Sequence, residues 1–201
     1  MMNKKGQIWV ETKPFRKRFP KTGQIWVETV IYTLIGLVLI GTILAFATPA
    51  IQKQKDKSII TSTINSMNEL DNQILSIRRA GIANTRNFDF LISDGKVTID
   101  SLNDKIIFNI PDSKYAYSEP GARIPISGTN MDVVTTKVGD KYEVILTLDY
   151  SVKTKIDVTY EGDEDDKILN PASTPYSLVV ENKGKLTEQS LTNVDIYEIS
   201  R

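Results

Sequence analysis

Residues 29–52 carry no charged side chain, and this uncharged run constrains the fold more than any other feature of the 201-residue sequence. As an α-helix, a run of this length would extend roughly 36 Å, which is more than the ~30 Å thickness of the hydrocarbon core of a bilayer. We therefore predict a transmembrane segment over about residues 29–52.

Charge is distributed unequally on the two sides of this run. The whole chain has 25 basic and 25 acidic residues. Among residues 1–23 the only acidic residue is Glu11. Seven residues in this range are basic, namely Lys4, Lys5, Lys13, Arg16, Lys17, Arg18 and Lys21. Residues 1–23 therefore carry a net charge of +6 and the remainder −6. The positive-inside rule places the N-terminus in the cytoplasm and the acidic remainder outside the cell. An acidic exported part argues against nucleic-acid binding.

The composition excludes several kinds of chemistry. The chain has no Cys and no His, which removes disulfides, Cys/His zinc sites, thiol nucleophiles and His-based acid–base catalysis. Since no paired carboxylates, phosphate-binding Gly loop or Ser/Lys motif stand out either, we expect neither an enzyme nor a cofactor. Asp163, Asp165 and Asp166 lie in an acidic stretch that offers a weak Ca²⁺ candidate, but it lacks the EF-hand spacing, and a solvated loop without metal is favoured.

Beyond residue 52 the apolar residues follow helical spacing. They recur every three or four positions, at Ile60, Ile64, Met67, Leu70, Ile74 and Ile77, with polar residues on the other faces. Gly81 is a plausible stop, and Arg78 and Arg79 suit the last turn of a helix. We predict one long helix over about residues 25–79, whose amphipathic outer half lies against the domain that follows.

After Ala83 the apolar period changes from 3.6 to 2, which indicates β-strands. Asp94-Gly95 between two alternating runs predicts a hairpin, and Pro111 is expected to end a strand over 106–110. We expect loop with at most one edge strand over 111–130, a turn at Gly139-Asp140, and another turn over 182–184. The remaining strands are predicted over 142–150, 152–160, 176–180 and 194–199. Eight or nine short strands favour an antiparallel sandwich of immunoglobulin-like size, so the predicted fold class is α+β.

Three interpretations compete for residues 1–52. The first is a plain transmembrane anchor. The second is a secretory signal cut after Ala45-Phe46-Ala47, so that the mature chain starts at Thr48. The third is a signal cut on the cytoplasmic side, before an apolar segment that stays on the mature protein. Residues 6–12 and 23–29 are identical in sequence, but the first copy precedes Lys13-Pro14-Phe15-Arg16, which cannot enter a bilayer. Only the second copy has the context of an export signal.

Residues 21–28, Lys-Thr-Gly-Gln-Ile-Trp-Val-Glu, resemble the class III signal peptide of archaeal type IV pilin-like proteins. In that family a basic leader ends in Gly or Ala, the mature chain starts with Gln, and its fifth residue is Glu. The resemblance covers residues 1 to about 55, while residues 84–201 resemble no family specifically. Trp26 stands where many members have Ser, and Thr22 interrupts the basic residue usual beside the cleaved Gly.

This resemblance implies cleavage between Gly23 and Gln24 by a prepilin peptidase. It also implies self-association into a surface filament, with Glu28 pairing to the α-amine of Gln24 on a neighbouring subunit. The expected organisation is then a leader over 1–23, a helix over 24–80 and an extracellular β-rich domain over 84–201. The alternative is a membrane-anchored extracellular β-sandwich binding module that never polymerises.

Overall fold

The structure is a computed structural model that describes residues 21–185, 187 and 190–199, with side chains from residue 25 onward except that of Lys153. The predicted leader up to residue 20 lies outside the described residues. The chain divides into two compact units, and the boundary between them falls between Ala47 and Thr48. The outer half of the long helix therefore belongs to the same compact unit as the β domain.

The long helix, α1, spans Lys21–Ala80 and confirms the predicted helix over 25–79. Pro49 lies inside it, and Arg78 and Arg79 occupy its last turn. Gly81 follows with a φ of 93°, a left-handed conformation that suits glycine at a helix end. The side chain of Asn84 donates to the carbonyl oxygen of Ala80 at 2.8 Å and so satisfies one of the last helical acceptors.

Ten strands and one short helix follow α1 within the described residues. They are β1 (Thr85–Phe90), β2 (Lys96–Asp100), β3 (Lys105–Ser113), β4 (Arg123–Pro125), β5 (Met131–Val138), β6 (Lys141–Asp149), α2 (Tyr150–Lys153), β7 (Ile156–Tyr160), β8 (Lys167–Leu169), β9 (Tyr176–Gly184) and β10 (Thr192–Glu198). One sheet has the order β1-β9-β10-β7 and the other has the order β4-β5-β6-β3-β2-β8. The α+β class and the sandwich-like domain are confirmed. Every described pair of strands is antiparallel except β10 and β7, which run parallel.

The predicted hairpin at Asp94-Gly95 is wrong. Strand β1 pairs with β9, whereas β2 pairs with β3 and β8 in the other sheet, so the residues between β1 and β2 cross from one sheet to the other. Gly95 has a φ of 75°, and a Cβ there would lie 2.5 Å from the carbonyl oxygen of Asn109 on β3. A glycine is required here because the chain passes too close to β3 for a side chain. An Asp-Gly pair is also the usual signal of a hairpin turn, which explains the wrong prediction.

Two predicted strand limits are also wrong. Strand β3 continues through Pro111 to Ser113, with a register shift after Ile110 that accommodates the proline. Strand β9 continues through the predicted turn over 182–184, because Asn182 is buried and donates to the carbonyl oxygen of Ile77 at 3.1 Å.

The strand predicted over 152–160 starts later than expected. Helix α2 occupies its first residues, and Asp149 caps this helix by accepting from the backbone N–H of Ser151 at 3.2 Å. Strand β7 then begins at Ile156. The prediction also missed β5 and β8, whereas the edge strand within 111–130 is present as β4 and the turn at Gly139-Asp140 joins β5 to β6.

One apolar core unites the two sheets with the outer half of α1. The predicted helical stripe is buried in this core, so the outer half of α1 packs on the domain as expected. The core residues that α1 contributes are Ile59, Ile60, Ile64, Met67, Leu70, Ile74 and Ile77.

Candidate functional site

The inner half of α1 presents a long and mostly apolar surface. From residue 25 to residue 51 every described side chain is exposed except at Gly36 and Ala47, which are half-buried. Trp26 is 70% exposed, Leu37 67% and Phe46 78%. Within the described residues α1 is the one helix long and apolar enough to cross a membrane. An exposed apolar surface of this extent is typical of a segment covered by lipid or by other chains.

Three threonine hydroxyls within this surface are satisfied inside the helix. The hydroxyls of Thr29, Thr33 and Thr42 donate to backbone carbonyl oxygens four residues earlier, at 2.8–2.9 Å. Because these hydroxyls need no external partner, they do not oppose burial in lipid or against another helix. Among the described side chains of residues 25–51, only that of Glu28, near the beginning of the segment, carries a charge.

The three residues of the predicted processing and assembly site lie in the first turns of α1. The backbone of Gly23 and Gln24 is helical, although their side chains lie outside the description. The exposed Glu28 follows Gln24 by four residues, which corresponds to about 6 Å along the helix axis. A carboxylate in a spanning helix costs roughly 2.5–3.5 kcal/mol at the bilayer centre, and this position keeps Glu28 close to the end of the segment instead.

The competing cleavage site, Ala45-Phe46-Ala47, lies inside the same continuous helix. It coincides with the boundary between the two compact units. Cleavage after Ala47 would remove the apolar surface and leave the outer half of α1 attached to its domain.

Two buried carboxylates attach the outer half of α1 to the domain. Asp56 accepts from the backbone N–H of Lys114 at 2.6 Å, and Asp71 accepts from the side-chain amide of Asn130 at 2.7 Å. Together with the bond from Asn182 to α1, these contacts join the helix to the domain at three levels. Sequence reasoning missed both carboxylates. Their positions show a usable pattern, because each lies four residues from a member of the apolar stripe and so occupies its buried face.

Tyr150 lies buried beneath the outer half of the helix. Burial raises the pKa of its hydroxyl well above the usual value, and the charge of Asp71 raises it further. The phenol therefore stays protonated at physiological pH.

A cavity of about 380 Å³ opens on the outer face of the smaller sheet. Its lining residues come from β7, β9, β10 and the segments beside them, and include Asp157, Glu164, Lys183, Lys185 and Asn193. Beside it, the buried Asp195 accepts from the hydroxyl of Thr159 at 2.9 Å and from the backbone N–H of Gly162 at 2.8 Å. The beginning of the acidic loop is thereby held against the sheet.

The weak metal candidate is not assembled in this loop. Asp163, Asp165 and Asp166 are all exposed. In the part of the chain that the structure describes, no group of three or more acidic side chains is placed to hold a metal ion.

Comparisons with known proteins give no match: no family model, no curated protein and no solved structure is similar to this chain.

Proposed function

We propose that this chain is a pilin-like structural subunit of an archaeal type IV pilus-like surface filament, processed after Gly23 and assembled through its apolar helix. The observation that carries the proposal is the continuity of α1. Its inner half is an exposed apolar surface, and its outer half is part of the core of the β domain.

This continuity favours a subunit over a simple anchor. An anchor needs only a hydrophobic segment, and a flexible linker to its domain would serve equally well. Here the helix reaches the domain without interruption and is held there by core packing and by Asp56 and Asp71. Packing between inner helices would therefore bring the β domains of neighbouring subunits together along the filament.

In the proposed assembly, inner helices exchange lipid contacts for contacts with like helices. Lipid tails are as apolar as these side chains, so the driving force is close packing and the satisfaction of polar groups. Glu28 would supply the polar contact by pairing with the α-amine of Gln24 on a neighbour, and this pair would be strengthened by the low dielectric constant around it. A prepilin peptidase is the enzyme that would expose this amine.

The alternative is a membrane-anchored β-sandwich module that binds a ligand outside the cell and never polymerises. The cavity beside β7 and β10 is the feature that favours it, since this cavity has about the volume of a small-ligand site. A module of this kind would use the apolar surface of α1 only for lipid.

The two functions predict different distributions of the protein in its native cells. We expect mechanical shearing to release filaments that contain this chain, visible by electron microscopy and identified by mass spectrometry. Recovery of the entire protein from the membrane fraction as monomers, with no sheared filament, would contradict the subunit and support the anchored module.

A further inference from the structure

Three lysines directly follow the apolar half of α1. Lys53, Lys55 and Lys57 are exposed and come within two turns of Ile51. Because a helix turns by about 100° per residue, Lys53 and Lys57 project to one side of α1 and Lys55 projects to the opposite side. Lys53 lies about 3 Å along the axis from Ile51, so insertion of the apolar segment brings these ammonium groups to the level of lipid headgroups.

The fold brings three further lysines to the same level. The bond from the backbone N–H of Lys114 to Asp56, at 2.6 Å, holds the end of β3 beside this part of the helix. The ammonium of Lys114 in turn contacts Asp140, also at 2.6 Å, in the turn between β5 and β6. Lys137 and Lys141 flank that turn, and Val138 at its tip is 57% exposed. We call these residues the lysine face: Lys53, Lys55, Lys57, Lys114, Lys137 and Lys141.

Most of the positive charge of the lysine face is not neutralised by the protein. Asp140 pairs with Lys114, and Asp112 pairs with Lys141 at 3.2 Å. The four other lysines form no salt bridge within the described residues, although Lys57 lies 5.8 Å from the centre of the Tyr115 ring. The lysine face is therefore a positively charged surface on a part of the chain, residues 24–201, whose net charge is negative.

We propose that the lysine face docks on a membrane surface that carries anionic phosphate headgroups, with Val138 inserted among them. This inference rests on the membrane insertion of α1 that the proposed function requires. The reason is charge complementarity next to a segment that inserts in the bilayer, since ammonium groups within about a Debye length of anionic headgroups are attracted to them. Docking holds the unassembled subunit in one orientation on the bilayer.

The absence of cysteine allows a direct test on the full-length protein. A fluorophore is attached to Val138→Cys, and the protein is reconstituted in vesicles that contain lipid with a nitroxide on its headgroup. The control label is Val152→Cys, which is 76% exposed and lies beyond the opposite end of β6, about 30 Å from the β5–β6 turn. We expect stronger quenching at position 138 in phosphatidylglycerol vesicles than in phosphatidylcholine vesicles, and none at position 152 in either.

Two changes should lower the quenching at position 138 in phosphatidylglycerol vesicles to the level seen in phosphatidylcholine vesicles. One is about 1 M salt, where the Debye length falls to ~3 Å. The other is the combined substitution Lys53→Gln, Lys55→Gln, Lys57→Gln and Lys137→Gln. Equal quenching at 138 in the two lipids, or no quenching there at all, would overturn the proposal.

A third label separates this inference from the proposed function. Leu37→Cys places the fluorophore in the apolar half of α1, where nitroxides on lipid acyl chains report insertion. Quenching at 37 without a lipid-dependent response at 138 overturns the lysine face alone. No quenching at 37 shows that α1 does not insert, and the inference and the proposed function then fail together.

Discussion

Replacing Glu28 with alanine is expected to abolish surface filaments while the protein still reaches the membrane. In the proposed assembly the carboxylate of Glu28 pairs with the α-amine of Gln24 on a neighbouring subunit. Removing one partner of a buried ion pair costs roughly 3–5 kcal/mol, and here the loss recurs at every subunit. Export depends on the uncharged helix and the basic leader, both of which remain intact. Electron microscopy of sheared fractions and immunoblots of membranes measure the two outcomes separately.

Thr29→Ala is the matched control for this experiment. Thr29 is the next residue along α1, and its hydroxyl already donates to the carbonyl oxygen of Ile25 at 2.9 Å. Its replacement removes a polar group of the same turn but leaves the proposed ion pair between subunits intact, so filaments should persist. Normal filaments from the Glu28→Ala variant would remove the assembly role given to Glu28.

Replacing Leu70 with alanine should lower the free energy of unfolding by about 2–5 kcal/mol. Leu70 is 1% exposed and lies in the core where the outer half of α1 meets the β domain. The substitution removes buried methyl groups and leaves a cavity that the surrounding sheets can fill only in part. Urea unfolding of the detergent-solubilised protein, followed by circular dichroism, measures the change in stability.

Leu102→Ala provides the same chemical change on the surface. Leu102 is 71% exposed, so its replacement should change the free energy of unfolding by no more than about 0.5 kcal/mol. Similar losses from the two variants would mean that the outer half of α1 does not contribute to the core as described.

The long helix was predictable because its signal is local and repeated many times. The uncharged run and the six-residue apolar stripe each extend over several turns, and a period of 3.6 over such a length has few alternatives. Strand pairing was less predictable, because it depends on residues distant in sequence. Phe88 pairs with Leu178, and nothing near Asp94-Gly95 distinguishes a crossing between sheets from a hairpin.

The candidate site, like the fold, was predictable only in part. The exposed apolar surface follows from composition, and the structure confirms it. Cleavage at Gly23 and the pairing of Glu28 depend on enzymes and on other copies of the chain, so they stay predictions. The lysine face was not predictable, because it depends on contacts between residues distant in sequence. The backbone N–H of Lys114 donates to Asp56, and Lys137 is placed by the pairing of β5 with β6.

The mature N-terminus of the protein from its native cells tests the central claim most directly. Intact mass and N-terminal peptide analysis would locate it to the residue. The proposed function predicts a chain that starts at Gln24 and retains the whole apolar half of α1. A chain that keeps its leader would indicate a plain anchor, and a chain that starts at Thr48 would indicate secretion, and either result would contradict the subunit.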